Sequence, residues 1–213
     1  CISYTHPMMV SKMGERRYAT EGSPADCVLV GLHDVMKDAR PDLILSGVNR
    51  GNNSAENTLY SGTIGAAIEG ALQGVTSIAL SQYYGVHNAD IDDPFEASAV
   101  HGADVVRRIL AQVPDDQGDY RLLFNINFPP VPAKEVKGVQ VARQGRRPDV
   151  YFGVEPHMSP SNRRFLWIKG GDQRVRPSNG TDAAVNLDGY ISVTPMRADL
   201  TAHDALESFA TNL

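Results

Sequence analysis

The order of apolar and polar positions predicts alternating strands and helices around one central unit. Leu43-Ile44-Leu45 is a short apolar run of the length expected for a buried strand. A polar loop follows, and the spacing then changes. Ile64, Ile68 and Leu72 recur every four residues, with Gly65, Ala66, Ala67 and Ala71 between them. That spacing predicts a helix starting after Ser61-Gly62-Thr63 and stopping at Gly74. Ser77-Ile78-Ala79-Leu80 predicts a second strand. Strand, loop, helix, strand is a βαβ unit, which implies parallel pairing and a right-handed crossover.

The flanking segments extend this pattern. Residues 2–20 suit an irregular stretch with a short hairpin. Ser23 predicts a helix cap, with Pro24 at the first position, Asp26 three residues on, and an apolar face of Cys27, Val28, Leu32, Val35 and Met36. Asp93 predicts the cap of a longer helix with Pro94 at its start, Glu96 at the capping-box position and Val105, Val106, Ile109 and Leu110 on its buried side. Residues 121–128 form an evident strand closed by Pro129-Pro130, and 136–145 contain a shorter one. A stretch rich in Arg, Pro and Ser leads to Phe165-Leu166-Trp167-Ile168, the composition of an extended hairpin arm. A strand over 189–195 and a short helix over 204–210 complete the chain. The expected fold is α/β, a Rossmann-like doubly wound, mostly parallel sheet. Residues 1–145 form its core; 146–213 supply the arm, a returning strand and a C-terminal tail of the same domain.

Composition narrows the function. The 213 residues carry a formal charge of −5 with both signs well mixed, so the basic stripe of a dedicated nucleic-acid binder is missing. No apolar run approaches bilayer-spanning length. Only Cys1 and Cys27 are present, which suits a reducing compartment and a cytoplasmic location better than a disulfide scaffold.

The polar loop carries the chemistry. In a βαβ unit ligands sit beyond the carboxyl ends of the strands. A helix N-terminus offers free N–H groups to an anion, and Ser61, Gly62 and Thr63 occupy that position. The amide oxygen of an asparagine just after the strand suits a hard cation, and Asn49, Asn52 and Asn53 fall there. The competing interpretation is that Asn and Gly are simply what loops contain. Asp199 and His203, four apart, allow a catalytic dyad on a helix; Arg146, Arg147, Arg163 and Arg164 allow either anion steering or plain solvation.

The runs SGVNRGNN and LYSGTIGAAIEGALQG resemble the SurE family of metal-dependent 5′-nucleotidases. The likeness continues through 22–28, Phe124-Asn125-Ile126-Asn127, Gly180-Thr181-Asp182 and residues 190–195. It implies that Asn49 is a ligand of a divalent ion, Mg²⁺ or Mn²⁺, and that Asn53 and Ser61 contact the phosphate as catalytic residues. Gly51, Gly62 and Thr63 would bind substrate. The substrate would be a nucleoside 5′- or 3′-monophosphate attacked by metal-activated water. The resemblance also implies a homodimer or homotetramer built through the arm and tail, with Asp199 and His203 at a contact between subunits. Family members open with a paired-aspartate motif and a serine loop that supply further metal ligands. This sequence starts at Cys1 without them, and is expected to be a fragment whose remaining ligands lie earlier. Lacking those ligands, a phosphate- or nucleotide-binding module without turnover is the alternative. A serine hydrolase fits poorly, since Ser61 is not in a G-x-S-x-G elbow.

Overall fold

The computed structural model describes residues 2, 3, 5–115 and 117–212. Strands β1 (Val10–Gly14) and β2 (Arg17–Thr20) form the antiparallel hairpin expected near the start. Helix α1 (Pro24–Val30) follows, then β3 (Leu43–Arg50), a 3-10 turn (Ala55–Tyr60), α2 (Gly62–Leu72) and β4 (Thr76–Gln82). Next come α3 (Glu96–Leu110), β5 (Leu123–Phe128) and β6 (Val139–Val141), then the hairpin strands β7 (Gly153–Met158) and β8 (Arg164–Lys169). The chain continues with α4 (Asp182–Leu187), β9 (Ile191–Met196) and α5 (Leu206–Asn212). Among the described residues the main sheet has five strands in the order β3-β4-β5-β9-β6.

Strands β3, β4 and β5 are mutually parallel, as the βαβ pattern requires. Strand β9 returns antiparallel to β5 and pairs with β6 in parallel at the far edge, so the sheet is mixed at that side. Alternation along the strands divides the core in two. Ile78, Leu80, Phe124, Ile126, Phe128, Ile191 and Val193 pack with Val105, Val106 and Ile109 of α3 on one face. On the other, Ala79 and Leu123 meet Ile64, Ala67 and Ala71 of α2. Small residues on α2 let it lie close to the sheet; each fully buried Ile, Leu or Phe stabilises the fold by about 1.5–3 kcal/mol.

Several boundaries differ from expectation, each for a physical reason. Strand β3 runs on through Arg50, slipping register between Ser46 and Asn49, so Asn49 sits on the strand opposite Ser81. Helix α3 starts at Glu96. Asp93 instead accepts the Phe95 N–H in a local turn, and the Glu96 carboxylate accepts the Ala133 N–H. Leu110 is 39% exposed, outside the buried face. Cys27 is an exposed free thiol rather than part of a covered apolar face. Helix α4 went unpredicted. Asp199 and His203 do pair, at 2.6 Å, but on an exposed turn rather than a helix.

Helix α1 does follow its sequence signals. Ser23 accepts the Asp26 N–H and Asp26 accepts the Ser23 N–H, closing a capping box with Pro24 in the first turn. The same carboxylate accepts the N–H and hydroxyl of Ser3, both at 2.9 Å, and so ties the start of the chain to the helix. The Ser3 and Ser23 backbone donors hold the Asp26 carboxyl down from 3.8 to about 2. A folded-state pKa below the unfolded one gives stability that is complete above the unfolded value and disappears as pH falls through the folded value. The melting temperature should therefore fall between pH 4 and pH 2 partly through this group. Asp26→Asn should lower it at pH 7 and flatten its pH dependence in that window; equal slopes in calorimetric scans of the two proteins would refute the linkage.

Candidate active site

The site lies at the carboxyl ends of β3 and β4, where the loop after Arg50 turns towards α2. Buried amide side chains on the neighbouring strands hold that loop. The Asn53 N–H donates to Asn127 Oδ1 at 2.7 Å, and the Asn53 carbonyl accepts from Asn125 Nδ2 at 2.9 Å. Asn127 Nδ2 donates to Asn125 Oδ1, which orients both amides. Thr58 Oγ1 donates to the same Asn53 carbonyl. Asn125 and Asn127, fully buried on β5, thus act as docking points for another stretch of backbone.

The Asn53 side chain also bonds into the sheet: its Nδ2 donates one hydrogen to Ser81 Oγ at 2.7 Å. Because Ser81 lies opposite Asn49 in the β3–β4 register, that bond places the loop beside Asn49. The Asn49 amide is itself fixed: Nδ2 donates to the Gly51 carbonyl at 3.0 Å, which leaves Oδ1 to accept or to ligate. Gly51 makes this turn possible. Its φ of +113° is disfavoured for side-chain-bearing residues, and its N–H donates to the Gln82 carbonyl.

Ser61, Gly62 and Thr63 stand at the start of α2 as the spacing predicted. Ser61 caps the helix, its Oγ accepting the Ile64 N–H at 3.1 Å. The N–H groups of Gly62 and Thr63 have no acceptor within the helix and carry the positive end of its dipole. Gly62 has a packing reason as well as a chemical one. A Cβ there would lie 2.9 Å from Pro24 Cγ, so glycine lets the first turns of α1 and α2 approach.

Three residues that the sequence reading did not assign complete the architecture. Asp182, at the start of α4, accepts the N–H groups of Ala55, Gly145 and Ala183 at 3.0, 2.9 and 2.7 Å. Burial pushes its carboxyl up against the pull of those donors and of Arg147. Arg147, one of four arginines considered for steering, is buried instead and pairs with Glu56 at 2.9 Å. It also donates to Asn52 Oδ1, the Ser54 carbonyl and Ser54 Oγ. Glu56 is pushed up by burial, but the Arg147 N–H and guanidinium together with its own backbone N–H outweigh that and hold it low. The local signals were thin: Thr181 preceding Asp182 is a cap pattern, whereas a buried arginine within Arg146-Arg147-Pro148 has no local signature.

A divalent ion would find one neutral ligand here, Asn49 Oδ1. Among the described residues no cluster of three or more His, Cys, Asp or Glu side chains is placed to hold a metal. Since carboxylates supply most of the affinity for Mg²⁺ or Mn²⁺, the described donors make up only part of such a site.

A mostly parallel α/β sheet whose polar loop leads from a strand end to an open helix start is an arrangement suited to holding a phosphate. The chain belongs to the SurE family: the family model described as Survival protein SurE matches residues 1–150. It is 67% identical over 213 residues to the 5′-nucleotidase SurE of Ruegeria pomeroyi, spanning 100% of this chain and 82% of that relative. Against the 5′-nucleotidase SurE of Roseobacter denitrificans it is 69% identical over 210 residues, 99% of this chain and 80% of the relative. The crystal structure of the SurE protein from Aquifex aeolicus superposes with a TM-score of 0.79 at 33% identity, covering 100% of this chain and 82% of that one.

Proposed function

We infer that this chain is a metal-dependent 5′-nucleotidase that removes phosphate from nucleoside monophosphates. The observation carrying the reading is the placement of Asn49 and the start of α2 around one amide-held loop, in a chain 67% identical to a relative named for that activity. The two relatives compared above carry the name of a nucleotidase rather than of a module that binds without turnover. The ion is Mg²⁺ or Mn²⁺, both of which accept all-oxygen donors. When bound it polarises the phosphoryl group and supplies an activated water.

The chain's own residues bind and orient. Gly62 and Thr63 present backbone N–H groups to the phosphoryl oxygens, and the Ser61 hydroxyl, already fixed as the helix cap, donates its proton to one of them. Asn49 offers Oδ1 to the ion. Asn53 is a positioning residue: through Ser81, Asn125 and Asn127 it keeps these two parts in register. Gly51 supplies the carbonyl that orients Asn49.

The enzyme works as a homodimer or homotetramer joined through the arm and C-terminal tail, in the cytoplasm. Support comes from β7 and β8, a two-stranded hairpin with Val154, Phe165, Leu166, Trp167 and Ile168 all exposed. Such a hairpin is marginal alone, and a patch of this kind marks an interaction surface. No helix among the described residues is long and apolar enough to cross a membrane.

Three experiments test these readings. Asn49→Ala should weaken Mn²⁺ affinity in calorimetry about tenfold or more and lower kcat/KM for 5′-AMP at fixed metal. Ser61→Ala should lower kcat/KM by about 10- to 100-fold, the scale of a lost hydrogen bond to a charged group, with Mn²⁺ affinity unchanged. If Asn49→Ala keeps both metal affinity and activity, the ligand assignment is wrong. For assembly, Trp167→Glu should shift the mass measured by light scattering from an oligomer to a monomer, and an unchanged mass would exclude the arm as the interface.

A further inference from the structure

Resting on the nucleotidase reading, we propose that the nucleobase stacks on the exposed ring face of Tyr60, beside Phe152 at the root of the hairpin arm. A cavity of about 230 Å³ lies there, lined by Glu56, Tyr60, Arg146, Arg147, Val150, Tyr151 and Phe152. It is smaller than the roughly 300–1,000 Å³ that drug-sized ligands occupy, and so suits a flat ring rather than a whole nucleotide. The rings of Tyr60 and Phe152 meet edge to face, with centroids 4.8 Å apart and planes at 63°. Tyr60 is nevertheless 71% exposed and Phe152 44%, so each still offers ring surface. Tyr60 also immediately precedes Ser61, the cap of α2. A group against its ring is therefore within one nucleotide's reach of a phosphate held at that helix start.

The buried arginine of the cavity is already paired: Arg147 meets Glu56 at 2.9 Å and donates to Asn52 and Ser54, which leaves the exposed Arg146 as the open cation of the lining. The same ion pair joins the turn carrying Tyr60 to the segment leading to Phe152, with the Arg147 N–H donating to Glu56 Oε2 at 3.0 Å. The two sides of the cavity are therefore tied together. A second aromatic cavity, beside Tyr83 and Tyr84, has its rings committed. The Arg50 guanidinium lies over Tyr84 at 4.4 Å, and Tyr83 is buried with its hydroxyl donating to the Gln173 carbonyl. Stacking reads area rather than edge chemistry, so the subsite should favour purines over pyrimidines while barely separating adenine from guanine.

The test compares 5′-AMP with glycerol 2-phosphate, a phosphomonoester that has no base. The readout is the ratio of their kcat/KM values in wild type, Tyr60→Ala, Tyr60→Phe, Phe152→Leu and Tyr84→Ala. Loss of the stacking face in Tyr60→Ala, or of the ring that holds it in Phe152→Leu, should lower the ratio about tenfold, mainly through KM for 5′-AMP, with Tyr60→Phe and Tyr84→Ala close to wild type. An unchanged ratio in Tyr60→Ala and Phe152→Leu, or a fall in Tyr84→Ala instead, overturns the subsite while leaving the nucleotidase reading intact. Failure of the wild-type protein to hydrolyse 5′-AMP overturns that reading and the subsite with it.

Discussion

The site depends on one constraint: the backbone of Asn53 is hydrogen-bonded on both sides by amide side chains rising from β5. Its N–H meets Asn127, its carbonyl meets Asn125, and its own side chain reaches Ser81 on β4. A polar loop over the end of a sheet would ordinarily take its hydrogen bonds from water and sample many shapes. Here interior donors and acceptors replace the water, and an unmet partner at that depth would cost about 1–3 kcal/mol, which favours a single arrangement. The price is a core face that is polar at its upper end: Asn125 and Asn127 occupy positions where a nucleotide-free α/β protein would place Val or Ile.

Two further clamps extend the constraint outward. Asp182 gathers three N–H groups from segments that are distant in sequence, and Arg147 with Glu56 fastens the root of the arm to the 3-10 turn. Both charges are buried, and both are satisfied mainly by backbone or by an opposite charge, the condition under which buried ions are tolerated. The loop and the arm are thereby mechanically connected. The β7–β8 hairpin starts directly after Phe152, a wall of the cavity beside Tyr60.

Much of this architecture was legible in the sequence because its causes are local. The four-residue recurrence of Ile64, Ile68 and Leu72, the Ser23-Pro24 cap and the apolar runs before and after α2 gave the βαβ unit directly. Boundaries were misplaced where tertiary partners competed with local ones, as when Glu96 turned to Ala133 and α3 started later than its capping pattern suggested. Ser61, Gly62 and Thr63 were found because a helix start has a sequence signature. The inward turn of Asn53 and the burial of Arg147 were not, since both depend on residues dozens of positions away. At Gly62 a tertiary reason joins the local one: the approach of Pro24 calls for glycine there.

The central claim is that an amide-held loop puts the Asn49 oxygen and the first turn of α2 into one pocket. Paramagnetic broadening by Mn²⁺ in amide-resolved NMR tests it most directly. The account predicts that Mn²⁺ broadens the Gly62 and Thr63 amide signals before those of the arm, and that Asn49→Ala abolishes the effect at the same metal concentration. Sharp Gly62 and Thr63 signals at saturating Mn²⁺, with broadening elsewhere in the chain, would contradict it.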